Sequence, residues 1–277
     1  MSAIAVAKKD FADAIRSWKL MALTVVFVLF TLGGAFLASR MGDEAESTLD
    51  LVFALQTPAG FLVPVIGAVV GYKAIAGERE SGSLKFLLGL PHTRRDVVFG
   101  KVLGRSAVVA VSILIGFSVG IVGLFAFVGS VSIVDYLQFT LMTILFGVVY
   151  VSIGVGISAM TRSTTRAGIG VFGLIVVFWF LWSTAVQVLH YFLEGEFFAE
   201  EFPGWYVGLL SIPPDTAYGS AIGAVFSDSG LAMADVYEHD GGMLSTLAEP
   251  WFGFVLLALW ALVPLGLGLW LFGRSDL

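Results

Sequence analysis

Six long apolar runs dominate the chain, near Leu20 to Ala38, Leu51 to Ala76, Val102 to Val128, Tyr136 to Met160, Ala167 to Tyr191 and Trp251 to Phe272. Several of them approach or exceed the roughly 18 residues that separate a spanning helix from a buried core helix. Only helices and closed barrels satisfy their backbone groups in hydrocarbon, and these runs lack the alternation of barrel strands. The pattern therefore predicts an all-α integral membrane protein with six transmembrane helices. Before the first run, Ile4, Phe11, Ile15 and Trp18 share a narrow helical arc, with Lys9, Asp10, Asp13 and Arg16 opposite. That pattern predicts an interfacial helix over 1–19, lying on the inner leaflet. A positively charged topology anchor is the plainer reading, and both can hold.

The polar stretch 77–101 between the second and third runs is the most informative. Leu84, Leu87 and Leu88 sit at i, i+3 and i+4 and give one apolar face beside Glu78, Arg79, Glu80 and Lys85. Gly89 and Pro91 then break that helix. His92 or Thr93 can open a second short helix, with Val97 and Val98 apolar and Arg94, Arg95 and Lys101 charged. A protruding amphipathic helix–turn–helix suits mechanical contact with a partner better than substrate binding. By contrast, 192–250 is long, polar at its ends and interrupted by Pro213-Pro214, with an apolar middle from Trp205 to Phe226. This outer segment is expected to form re-entrant or interfacial short helices.

Composition agrees with the pattern. The 277 residues are 58% hydrophobic and 13% charged, against about 45–50% and about 25% in soluble domains. There is no cysteine, which excludes disulfide frameworks and thiolate sites. The first run ends without a small-x-small cleavage pattern and is expected to be a retained helix. Six spans put both termini on one side, and of the 15 Lys and Arg residues only Arg40 falls across the membrane. The positive-inside bias makes that side the cytoplasm and the protein a multi-pass plasma-membrane protein. The segment 192–250 contains no Lys or Arg; its carboxylates read as a solvated acidic surface or a cation-collecting vestibule.

Gly67-x-x-x-Gly71 and Gly116-x-x-x-Gly120 permit close helix approach in the second and third spans, within the bundle or at a dimer interface. The fifth span opens with Gly168, Gly170 and Gly173, and Pro64 and Pro264 are expected to kink their helices. No phosphate loop occurs, since Gly100-Lys101 is followed by Val102 and lacks the preceding glycine, so this chain is not expected to hydrolyse ATP. Gly116-Phe117-Ser118-Val119-Gly120 matches a nucleophile elbow and admits an intramembrane hydrolase using Ser118, but it falls mid-helix, where small-residue packing is the simpler account. Glu238-His239-Asp240 with Asp235 could ligate a divalent metal or be plain solvated loop. Gln138, Gln187 and His190 read as interhelical hydrogen-bonding groups, and Tyr72 and Lys73 as snorkelling side chains. No charge lies deep in a span, which leaves an ion-coupled carrier unsupported.

The run Gly77-Glu78-Arg79-Glu80-Ser81-Gly82-Ser83-Leu84, then Leu87-Leu88, Pro91, Arg94-Arg95 and Gly100-Lys101, resembles the ABC-2 family of transporter permeases in spacing and in place. The N-terminal helix and the long outer segment resemble it too, so the likeness covers nearly the whole chain. Leu209 to Tyr218, containing Pro213, Asp215 and Tyr218, is similar to a stretch of the branch that assists maturation of nitrous oxide reductase, with Ile212 where that branch has Asn. The resemblance implies that Glu78, Arg79, Glu80, Gly82, Leu84, Leu87, Leu88, Pro91, Arg94, Arg95, Gly100 and Lys101 form the element that docks on a separate ABC ATPase. It implies a second permease copy, identical or paralogous, a pathway along their interface, and export.

The expectation is thus one permease domain over 1–277 that is no enzyme. It carries no cofactor and no catalytic or metal site; ATP and Mg belong to the partner ATPase, and nucleic acid is no partner. A non-transporting membrane anchor using the same loop is the remaining alternative. Transported substrate is not readable from apolar helices.

Overall fold

The computed structural model describes residues 3–16, 18–38, 48–84, 93–127, 132–226, 233–242 and 244–274. Among them six helices are long and apolar enough to cross a membrane. Helix α1 (Ala3–Arg16) precedes the first span, α2 (Trp18–Ala38). The second is α3 (Thr48–Gly71), followed by the short α4 (Ala76–Glu80). The third and fourth are α5 (Arg94–Phe127) and α6 (Ile133–Met160). A continuous helical rod makes the fifth: α7 (Thr164–Val176), a π turn (Val177–Trp182) and α8 (Ser183–Glu194). Short helices α9 (Gly204–Leu210), α10 (Pro214–Val225) and α11 (Met233–Val236) and a 3-10 turn (Ser245–Ala248) precede the last span, α12 (Phe252–Arg274).

Two boundaries differ from the apolar pattern, each for a local reason. The second apolar run continues to Ala76, yet the helix stops at Gly71 and turns over residues 72–75. The short helix expected from Thr93 does not end before the third span but is its first turns. Thr93 opens it reciprocally: its hydroxyl accepts the Asp96 N–H at 3.1 Å, and the Asp96 carboxylate accepts the Thr93 N–H at 3.0 Å. The fused α5 has 34 residues, about 50 Å of helix against roughly 30 Å of hydrocarbon. Its charged residues Arg94, Arg95, Asp96, Lys101 and Arg105 all lie in its first 12 residues, so the surplus length falls at that end. α3 and α12 run unbroken through Pro64 and Pro264.

The chain divides into two compact units, residues 1–171 with 261–277, and residues 172–260. In the first, α6 is the most buried span. α3 packs on α6, and α5 packs on α1, α2 and α6. Glycine seams make these contacts close. A Cβ on Gly67 would lie 2.5 Å from that of Tyr150, and one on Gly71 would lie 2.8 Å from the Cα of Gly154. On α5, Cβ atoms at Gly116 and Gly120 would meet Phe27 at 2.4 Å and Thr31 at 2.5 Å. Thr31 adds a buried bond from its hydroxyl to the Gly116 carbonyl at 2.9 Å, and Tyr136 donates to the Phe117 carbonyl at 2.7 Å. Pairing these hydroxyls matters because hydrocarbon offers them no other partner.

In the second unit, Val186, Tyr206, Val207, Leu210 and Ala248 form the core. Phe202 stacks on Tyr206 at 4.4 Å, and His190 packs on both rings. Gln187 is bonded at both ends: it accepts from the Tyr206 hydroxyl at 2.5 Å and donates to the Phe197 carbonyl. A single bridge pairs Phe202 with His239. The Asp240 carboxylate clasps the strip beside it, accepting N–H groups from Gly204 at 2.7 Å and Gly242 at 2.8 Å. The Gly242 and Gly204 amides hold this carboxyl below the ordinary aspartate value of 3.8. Its contribution to the clasp is therefore present above that unfolded value and lost as pH falls through the lower folded value. Protection of the Gly204 and Gly242 amides, relative to the intrinsic exchange rate at each pH, is expected to be present at neutral pH and lost only in acid, whereas Asp240→Ala lacks it throughout. Wild-type protection that does not change with pH would refute this account.

Candidate functional site

The charged elbow begins where α3 stops. A helix start exposes N–H groups with no intrahelical partner. Ser158 of α6 supplies one acceptor for two of them: its fully buried hydroxyl oxygen takes the N–H of Ile75 and of Ala76, both at 3.0 Å. That fixed point ends the second span early and aims α4. Replacing Ser158 with Ala leaves both N–H groups buried and unpaired, at a cost of about 2 kcal/mol. The expected result is a lowered melting temperature together with faster exchange of the Ile75 and Ala76 amides; unchanged exchange would contradict it.

Each charged residue of α4 then reaches a different element. Glu80 receives the backbone N–H of Thr164 at 2.8 Å and its hydroxyl at 2.7 Å, so a carboxylate caps the start of α7, where the helix dipole favours negative charge. Arg79 donates to the Thr161 carbonyl at 2.9 Å and lies over the Phe272 ring at 4.8 Å. Glu78 meets Lys101 at 2.5 Å. Gly82 then turns the chain with φ of 74°, a conformation that side chains resist. Leu84 is buried, while Ser81 and Ser83 are exposed and bonded to each other at 2.9 Å.

Lys101 is the centre of an ionic node. Its ammonium group, on a residue only 7% exposed, touches Asp10 at 2.6 Å as well as Glu78. Arg105 approaches Asp10 at 3.3 Å and donates to the Val70 carbonyl. Gly100 and Gly104 let α1 come this close, since a Cβ on Gly100 would lie 2.5 Å from that of Val6, and one on Gly104 would lie 2.9 Å from the Ala7 carbonyl. The node thus joins α1, α4 and α5. The apolar arc expected of α1 points elsewhere: Ile4, Ile15 and Trp18 are exposed, whereas Asp10, expected on the solvated face, is turned inward because α5 runs beneath it. Arg94 completes the set by donating to the carbonyls of Phe272 and Gly273 at the end of α12 and lying over the Phe272 ring.

Glu78, Arg79, Glu80, Gly82, Leu84, Arg94, Gly100 and Lys101 are therefore gathered around one elbow, and Arg95 is exposed beside it. Leu87, Leu88 and Pro91 lie outside the described residues. Sequence reasoning missed Asp10, Ser158, Thr161, Thr164 and Phe272 as partners. The only visible signal was Thr164 after the polar Thr161-Arg162-Ser163 link, a helix-start residue type. Elsewhere the candidate chemistry dissolves into structure. The Ser118 hydroxyl donates to the Leu114 carbonyl at 2.7 Å, and apolar side chains and Gly123 are its companions around a cavity of about 590 Å³. His239 accepts the Gly241 N–H at 3.1 Å, and among the described residues no three His, Asp or Glu side chains are grouped to hold a metal ion.

Comparison with known proteins bears on the whole chain. The family described as "ABC-2 family transporter protein" matches residues 4–277. A relative from Stutzerimonas stutzeri, named "Probable ABC transporter permease protein NosY", is 30% identical over 237 residues, 82% of this chain and 83% of the relative. Its namesake from Pseudomonas aeruginosa is 28% identical over 219 residues, 77% of this chain and 78% of the relative. Both fall in the branch that the stretch from Leu209 to Tyr218 resembles. With six apolar spans, an elbow between the second and third, and a family match from α1 to the end of the chain, this protein is a transporter permease belonging to the ABC-2 family.

Proposed function

We propose that this chain forms the translocation pathway of an ATP-driven exporter, worked by a separate ABC ATPase that docks on the elbow from Glu78 to Lys101. ATP and Mg are bound by that partner, and this chain performs no chemistry of its own. The observation that carries the reading is the wiring of the elbow. Glu78 leads through Lys101 to α1 and α5, Arg79 and Glu80 lead to the link between α6 and α7, and Arg79 with Arg94 grips the end of α12. A push on the elbow near Ser81 to Ser83 is therefore delivered to several spans at once, as a lever requires.

In this reading the elbow and both termini are cytoplasmic, the membrane is the plasma membrane, and a second permease copy, identical or paralogous, faces this one. Exposed apolar residues of the fifth span within 172–194, including Phe180, Leu181 and Phe192, support such a facing surface. The close relatives' printed role as ABC transporter permeases supports the ATPase partner.

The test is co-expression with the ATPase and reconstitution in vesicles. Glu80→Gln and Arg94→Gln are each expected to lower transport about tenfold, the effect of losing one charge-assisted hydrogen bond in the relay. ATPase association and transport that survive substitution at Glu78, Glu80 and Arg94 would end the reading.

A further inference from the structure

Beside the elbow, a cavity of about 500 Å³ opens between the start of α5 and the end of α12, within the range of small-ligand sites. Its walls carry three guanidinium groups, from Arg94, Arg95 and Arg274, together with Thr93, Leu269 and Trp270, and among the described residues no carboxylate lines it. The arginines are unequal. Arg94 is committed to the last carbonyls of α12, which neutralises the negative end of that helix. Arg95 is exposed and makes no hydrogen bond or ion pair with any described residue. Arg274 lies over the Trp270 ring at 4.2 Å, is exposed, and makes no hydrogen bond or ion pair with any described residue. Two forks are thus left for an anion of matching geometry, and guanidinium matches phosphate in two-pronged fashion.

The surface below the cavity is apolar in a specific way. Val263, Leu267, Trp270 and Leu271 are exposed on α12 at i, i+4, i+7 and i+8, and Arg274 continues the same stripe at i+11. An apolar track that runs up a span, passes an exposed tryptophan and ends under two arginines has the profile of a phospholipid: chains, interfacial glycerol, phosphate. We propose that this cavity is a binding site for an anionic phospholipid headgroup, with the acyl chains laid along the α12 stripe. Which leaflet supplies the lipid follows from the orientation proposed above; the site itself needs no ATPase and stands or falls separately from the coupling role.

The probe is phosphatidylglycerol. Purified protein in nanodiscs of equimolar phosphatidylglycerol and phosphatidylcholine is released and its retained lipids are counted by native mass spectrometry. Wild-type protein is expected to retain phosphatidylglycerol selectively. Arg95→Gln and Arg274→Gln are each expected to reduce that selectivity about fivefold, with Arg95→Lys falling between because it keeps charge but loses the fork. Arg95→Lys also guards against misfolding, as does an unchanged melting temperature. Arg166→Gln, an exposed cation remote in sequence, is expected to change nothing. The proposal is overturned by absent selectivity in the wild type, or by an equal loss in Arg166→Gln, which means unspecific surface attraction. It is equally overturned if inorganic phosphate or glycerol 3-phosphate displaces the lipid at similar occupancy, which means a free-anion site. Loss of ATPase association in Arg95→Gln with lipid selectivity intact would give Arg95 to the protein partner instead, and also overturns it.

Discussion

Lys101→Met is expected to destabilise the protein by about 3 kcal/mol, because it removes the one cation that both Asp10 and Glu78 contact, leaving Glu78 uncompensated in a buried site and Asp10 with Arg105 alone. The side chains of Asp10 and Glu78 are 13% and 25% exposed, so water relieves little of this. One Glu78 oxygen already has no hydrogen-bond partner in the described structure, which leaves that carboxylate no reserve. Restoring neutrality should restore stability: the double variant Glu78→Gln, Lys101→Met is expected to regain most of the loss, since it leaves Asp10 paired with Arg105 and no other charge in the node. Detergent-induced unfolding in mixed micelles reads both. A Lys101→Met protein as stable as Lys8→Met, an exposed lysine of α1, would show that the node carries no such burden.

Gly71→Val is expected to be comparably severe, above about 3 kcal/mol, for a reason that is purely steric. The added Cβ would stand 2.8 Å from the Cα and 3.1 Å from the carbonyl carbon of Gly154. Both are backbone atoms, so no side-chain rotation relieves the overlap and α3 and α6 must part along their seam. That seam ends where Ser158 fixes the start of α4, so the variant is expected to release the elbow as well as loosen the span pair. Gly33→Val supplies the contrast, because a Cβ there meets nothing within 4 Å, and it is expected to fall within about 0.5 kcal/mol of wild type. Equal stability of the two variants would refute the seam.

The spans were legible in the sequence because hydrocarbon imposes a length and a polarity on any segment that crosses it. The elbow was legible as a place: a cluster of charges and a Gly-x-Pro break between two apolar runs has few other uses. Its wiring was not, since nothing in the identity of Glu80 or Arg79 says that Thr164 or Thr161 lies within reach across 84 and 82 residues. Periodicity misassigned Asp10 for a related reason. It sorts a helix into apolar and polar faces, and a polar residue opposite the lipid arc is taken as solvated, whereas α5 occupies that side and offers it Lys101. The end of α3 at Gly71 was hidden too, because the apolar run continues to Ala76 and the cause of the break is a serine on another helix.

The distance between Asp10 and Lys101 along the chain has a consequence for biogenesis. Asp10 leaves the ribosome 91 residues ahead of its counter-ion, so α1 is made long before the seat it will occupy. Until the third span arrives, the exposed Ile4 and Ile15 are expected to hold the nascent helix at an apolar surface. The Asp10–Lys101 contact can then close only after α5 is made, so docking of α1 is expected to follow insertion of the third span.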